Sequence, residues 1–169
     1  MSRDSQAEHT AHIAELMISS IPLVATLGIR YDTIISGQAV VTLPDDVRWH
    51  NHVGGPHAGV LFTLAETASA ALLMSDLESH LGHALPLVKS AEVRYRALAR
   101  GDVTATAQWV DSLESVRTTV ASALEVGQRV TVPVSVEVTT VDGTVTTVLT
   151  FQWTLLPTDQ SSVVLPAVR

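Results

Sequence analysis

The chain has 169 residues, 46% hydrophobic and 16% charged, and its 10 basic against 17 acidic side chains give a formal charge of -7. That length is enough to bury the core of one domain, residues 1–169, and the charge has the wrong sign for gripping nucleic acid by its phosphates. Without cysteine, disulfides, thiolate metal sites and cysteine nucleophiles are excluded, and the lean charge leaves apolar surface that self-association would cover.

Residues 1–26 read as an N-terminal helical segment, because Ile13, Leu16, Met17, Ser20 and Ile21 recur at helical spacing until Pro22 kinks or ends the run. It is expected to pack as a lid. Scattered charges and the lack of an uninterrupted apolar stretch near Met1 argue against a secretory signal, so a cytoplasmic protein is expected. From Ile29 to Leu43 two β-rich runs flank Ser36-Gly37, which predicts a hairpin, and Pro44, Asp45 and Asp46 then break the pattern. After the polar, glycine- and proline-containing stretch Trp49 to Pro56, an apolar run from His57 to Leu77 predicts a central helix, residues 57–77. Its length barely suffices for a membrane and Glu66 interrupts it, so a buried soluble helix is expected and no membrane.

Beyond Pro86, Leu87 to Leu98 alternates Lys89, Ala91, Val93 and Tyr95 against Ser90, Glu92, Arg94 and Arg96, and a second alternating run follows Arg100-Gly101 to Val110. Ser112 can cap a short helix that ends at Gly127. Val130 to Val138 and Val145 to Leu155 then alternate on either side of Asp142-Gly143, a two-residue hairpin turn, with Pro133 expected at an edge or a bulge. The tail after Pro157, residues 157–169, is expected to be loose. Helix, hairpin, long helix, two strands, short helix and hairpin assemble most simply as an α+β fold, one antiparallel sheet around one helix.

Glu66 is the sole ionisable side chain between His57 and Ser75. Burying an unpaired carboxylate costs several kcal/mol and raises its pKa, so the position calls either for a structural partner, such as Arg94 or loop amides, or for a chemical use. The loop before it, Asn51-His52-Val53-Gly54-Gly55-Pro56-His57-Ala58-Gly59, places Pro56 where a first helical residue is expected. The N–H groups of His57, Ala58 and Gly59 then become free first-turn donors that could polarise a carbonyl, while Gly54, Gly55 and Gly59 allow close approach to the backbone. His50, His52 and His57 lack the further acidic or thiolate ligand that a metal site needs, so no metal is expected.

The run Asn51-x-x-Gly54-x-x-His57-Ala58-Gly59-x-Leu61-x-x-Leu64-x-Glu66 resembles the helix-start signature of hot-dog acyl-CoA thioesterases of the phenylacetate-pathway type, with Ala58 in place of a glycine. The segment Ser90 to Gln108 resembles that family's third and fourth strands. The resemblance implies a hot-dog fold, a sheet wrapped around a long central α-helix, in homodimers or dimers of dimers whose active sites lie at the interface. It implies hydrolysis of an acyl-CoA or acyl-carrier thioester without a cofactor. Glu66 would be base or nucleophile, the Ala58 N–H would polarise the carbonyl, Asn51 would orient water or substrate, and His57 would support that geometry. For the CoA phosphates, Arg94 and Arg96 are candidates, with Lys89 and Arg100 beside them; Lys89 shares their face only if a bulge intervenes. Two other readings are a hot-dog dehydratase pairing His52 with Glu66, and an acyl-binding protein without turnover, which Ala58 and Ala70 would suit.

Overall fold

The computed structural model describes residues 3–158, so residues 159–169 of the expected loose tail lie outside the described residues. The N-terminal segment forms two helices, α1 (Arg3–Ser20) and α2 (Pro22–Leu27), joined by Ile21 in an extended conformation. Pro22 opens α2 without cost because its missing N–H is a donor that a helix start leaves unpaired anyway. α1 buries Ile13 and Met17, and the Ile34 amide donates to the Thr10 hydroxyl at 3.0 Å, which ties the helix to the sheet edge.

The sheet comprises β1 (Arg30–Ile35), β2 (Gln38–Leu43), β3 (Ala84–Tyr95), β4 (Val103–Trp109), β5 (Val130–Thr140) and β6 (Val145–Pro157). They pair antiparallel throughout in the order β1-β2-β4-β5-β6-β3. The third helix, α3 (Ala58–Asp76), packs against β1, β2, β4, β5 and β6. This is the expected hot-dog arrangement. The alternation seen in the sequence supplies its inner lining: Val132, Val134, Val136 and Val138 of β5 and Leu149, Phe151, Trp153 and Leu155 of β6 are buried. Leu64, Ala65, Ala68, Ala71 and Leu72 of α3 meet them, and the alanines add little bulk, so the sheet closes tightly around the helix. By length and composition α3 could cross a membrane, yet those five residues are 0% exposed, so it is the core helix of this fold. A short α4 (Glu78–Leu81) follows it, and α5 (Leu113–Glu125) links β4 to β5, its start capped by the Ser112 hydroxyl, which accepts the Ser115 amide at 3.2 Å.

Four local expectations change. β3 begins at Ala84 rather than Leu87 and runs through Pro86, which an edge strand tolerates because one side of its backbone has no partner among the described residues. Pro133 lies on an interior strand and at no bulge. Its carbonyl accepts the Val110 amide at 3.3 Å, one residue past the end of β4, so the missing N–H is directed to where the neighbouring strand has stopped. The β5–β6 turn is closed by Thr140 N–H donating to the Thr144 carbonyl at 3.1 Å, leaving three loop residues instead of two, with Gly143 at φ +84°. Finally, a bulge does intervene at Lys89, between Val88 and Ser90. It moves the helix-facing positions from Pro86 and Val88 to Ala91 and Val93, and turns Lys89 outward.

Candidate functional site

The loop before α3 is built from its own polar groups. Asn51 N–H donates to the Gly55 carbonyl at 2.8 Å, the Asn51 side-chain oxygen accepts the Val53 amide at 2.9 Å and the Gly55 amide at 3.4 Å, and its NH2 donates to the Pro56 carbonyl at 3.3 Å. Gly54 holds φ +75°, and a Cβ on Gly55 would stand 2.2 Å from the Ala99 carbonyl oxygen. Asn51, Gly54 and Gly55 therefore shape the loop, and the side-chain amide of Asn51 is already engaged.

Helix α3 starts at Ala58, not at Pro56, which sits in an isolated bridge with His50. His57 is the N-cap: its Nδ1 accepts the Gly59 amide at 3.0 Å, while its own N–H donates to the Trp49 carbonyl at 2.8 Å. Two of the three expected donors are thus spent, and only the Ala58 N–H has no acceptor among the described residues. Gly59 leaves room for the cap, since a Cβ there would lie 3.3 Å from His57 Nδ1. The Tyr95 hydroxyl donates to the Ala58 carbonyl at 3.1 Å and fixes this first peptide from β3. Ala58, Asn51, Leu61, Tyr95 and Arg100 line a cavity of about 170 Å³, and Arg100 donates to the Val53 carbonyl at 3.4 Å at its rim.

Glu66 lines a different cavity, of about 290 Å³. Thr63, Thr67, Ala70, Leu73 and Met74 share its face of α3, because residues three and four apart stack along a helix. Pro86, Leu87 and Val88 of β3, Trp153 of β6, and Met17, Ile21, Leu23 and Val24 of the N-terminal helices complete the wall, so the expected lid is one side of this cavity. Among the described residues nothing forms a hydrogen bond or ion pair with the Glu66 carboxyl. Burial alone pushes its pKa above the ordinary carboxylate range. The Glu66 carbonyl accepts the Ser69 hydroxyl at 2.8 Å, which in turn accepts the Trp153 indole N–H at 3.0 Å, so the backbone under the carboxylate is braced from the sheet.

These two cavities do not merge into one site within a chain. Ala58 and Glu66 are eight positions apart, about 12 Å along the helix axis, too far for both to touch one carbonyl group. Arg94 and Arg96 join neither: Arg94 alternates away from the helix-facing Val93, pairs with Glu92 at 2.6 Å, and lies with Arg96 in a separate groove beside Val148 and Thr150. Of the suggested cations, Arg100 alone is brought to the Ala58 cavity. His52 is exposed and lines neither cavity, and His50 turns to Asp45 at 2.8 Å. Among the described residues no three metal-binding side chains converge. Thr63, Thr67, Tyr95 and Trp153 were not singled out in the sequence; Thr63 falls three residues before Glu66 and Thr67 four after Thr63, a helical spacing that could have shown them, whereas the other two come from strands that only the fold brings near.

Residues 10–155 match the model of a family described as a domain of unknown function, DUF4442, and the chain belongs to that family. No curated protein matches the sequence. Among solved structures, a Pseudomonas aeruginosa protein of unknown function, given as a probable thioesterase, is 27% identical over 88% of this chain and 96% of its own, with a TM-score of 0.76. The Escherichia coli PaaI protein from the phenylacetic acid degradation operon is 20% identical over 86% of this chain and 92% of its own, at a TM-score of 0.66. A thioesterase family protein from Silicibacter pomeroyi is 19% identical over 89% and 99%, also at 0.66. The hot-dog fold is common to all of them.

Proposed function

We propose that the protein hydrolyses an acyl thioester, of coenzyme A or of an acyl carrier, at a site assembled from two copies of the chain. The observation that carries this reading is the course of β3. Its Pro86–Val88 end walls the Glu66 cavity, its Tyr95 end touches Ala58, and among the described residues one edge of the strand is unpaired. Antiparallel pairing of two such edges, centred near Ala91, sets the Leu87 end of one strand beside the Tyr95 end of the other. The Glu66 cavity of one copy then adjoins the Ala58 N–H of its partner, and a long free edge gains a partner strand. Each copy supplies what the other lacks.

In this site the thioester carbonyl oxygen accepts the Ala58 N–H, at the positive end of the α3 dipole, where charge develops in the tetrahedral intermediate. Glu66 takes a proton from water, which adds to the carbonyl carbon, the C–S bond breaks, and the thiolate leaves and takes up the proton; or Glu66 attacks that carbon itself, the thiolate leaves, and water then cleaves the resulting mixed anhydride to free the acid and the carboxylate. The raised pKa suits the first role, since the carboxylate is a stronger base than an exposed one. The probable-thioesterase description of the Pseudomonas aeruginosa protein supports the same chemistry at 27% identity. The test is thiol release from short, medium, long and aryl acyl-CoA thioesters by wild type and Glu66→Gln. Turnover by wild type with a loss of at least about 100-fold in the folded variant is expected. Absence of thiol release across the panel rejects the hydrolase reading; a change in enoyl absorbance without thiol release would instead favour a dehydratase.

A further inference from the structure

The Glu66 cavity is a slot rather than a bowl. Its α3 residues run from Thr63 to Met74 on one face, with Glu66 near the start and Leu73 and Met74 at the far end. Glu66 and Met74 are eight helical positions apart, about 12 Å of rise. An extended alkyl chain advances roughly 1.25 Å per carbon at ordinary C–C bond lengths, so about nine or ten carbons span that distance. The volume agrees, since about 290 Å³ is roughly twice the engineered apolar cavity that accepts a benzene. Apart from Thr63, Glu66 and Thr67 the walls are apolar, and both threonine hydroxyls donate to helix carbonyls, to Gly59 at 3.0 Å and to Thr63 at 2.8 Å.

The corner between α1 and α2 contributes to the same wall. Ile21 is extended between the two helices and Leu23 follows on the first turn of α2; both line the slot while remaining 37% and 54% exposed. Large apolar side chains left half in water at a cavity rim gain burial when an apolar ligand fills it.

We infer that the slot along α3 selects a saturated medium-chain acyl group of about eight to ten carbons, and that the α1–α2 corner, through Ile21 and Leu23, sets its upper length. This rests on the proposed thioesterase reading for its position relative to the reacting carbonyl. Ala70, midway along the slot, is the point where added bulk shortens it.

Two readouts test the inference independently of each other. Thiol release is measured for straight-chain acyl-CoAs from two to sixteen carbons, and binding of the matching free fatty acids is measured on wild type and Glu66→Gln by quenching of tryptophan fluorescence, Trp153 being in the wall. Each methylene inside the slot should raise kcat/KM or affinity about fourfold, with the rise stopping near ten carbons. Ala70→Leu should move the break to shorter chains, and Ile21→Ala combined with Leu23→Ala should move it to longer ones. If fatty acids show this break and no thiol is released from any substrate, the slot stands and the hydrolase reading falls. A flat length profile in both readouts, or a break that neither substitution moves in folded protein, overturns the inference.

Discussion

Ala58 and Glu66 are the two residues on which the proposed chemistry turns, and each can be changed at a single atom group. Ala58 is the first residue of α3, where proline is tolerated, and His57 before it is already extended at φ -61°, ψ 142°, as a residue preceding proline must be. Ala58→Pro therefore removes the helix-start N–H that has no acceptor among the described residues, while keeping the helix. Thiol release should fall about 100- to 1,000-fold, the scale for loss of one oxyanion donor, with the melting temperature close to wild type. For Glu66 the sign of the pH dependence is fixed by burial. The folded state favours the neutral acid, so the folded pKa lies above the unfolded one. The stabilising contribution of the protonated acid is full below the unfolded pKa and is lost as pH rises through the folded pKa. Wild type should therefore lose melting temperature relative to Glu66→Gln over that rise, while thiol release increases across the same window as the base ionises. Thermal melts and rate profiles in parallel buffers check both curves; matched melting curves for the two proteins at every pH would mean that Glu66 is not strained by burial.

At the level of elements, the site depends on a loop gripped from outside. Gly55 has no space for a side chain against the Ala99 carbonyl, which ties the loop before α3 to the segment after β3. Gly55→Ala should destabilise the fold by about 1–3 kcal/mol, as overpacking does, and should lower activity further by shifting Ala58; chemical denaturation and thiol release measure the two effects separately. The elements themselves were largely legible, because strict alternation in β5 and β6 and the unbroken apolar run of α3 leave few other ways to bury those side chains. What was not legible is where strands stop and slip. Pro133 sits inside the sheet because β4 ends beside it, and no local pattern announces the length of a neighbour. The bulge at Lys89 inverts the faces of β3, so the alternation that put Lys89 with Ala91 on the helix side fails at that residue. Arg94 and Arg96 were suggested for a substrate because their charge could be read, whereas the face they occupy depends on strand pairing. Asn51 and His57 were found by pattern; the Asn51 side-chain amide is engaged in holding the loop, and His57 Nδ1 caps the helix start.

The whole molecule explains why the proposed catalytic pair is held apart in one chain. A carboxylate and an N–H about 12 Å apart on one helix are a poor site, but β3 links their cavities and exposes an edge on which a second copy can reverse the direction. That geometry was countable from the sequence spacing of Ala58 and Glu66; the free edge of β3 was not, because the order of strands in the sheet is set by long-range pairing. Mixing two inactive proteins tests the shared site most directly. Ala58→Pro and Glu66→Gln are co-expressed or refolded together, and thiol release is compared with that of each variant alone. Random assortment makes about half of the dimers mixed, and each mixed dimer carries one intact and one doubly damaged site, so about a quarter of wild-type activity should return. If mixed dimers form and no activity returns, both groups act within one chain or not at all, and the two-copy site is wrong.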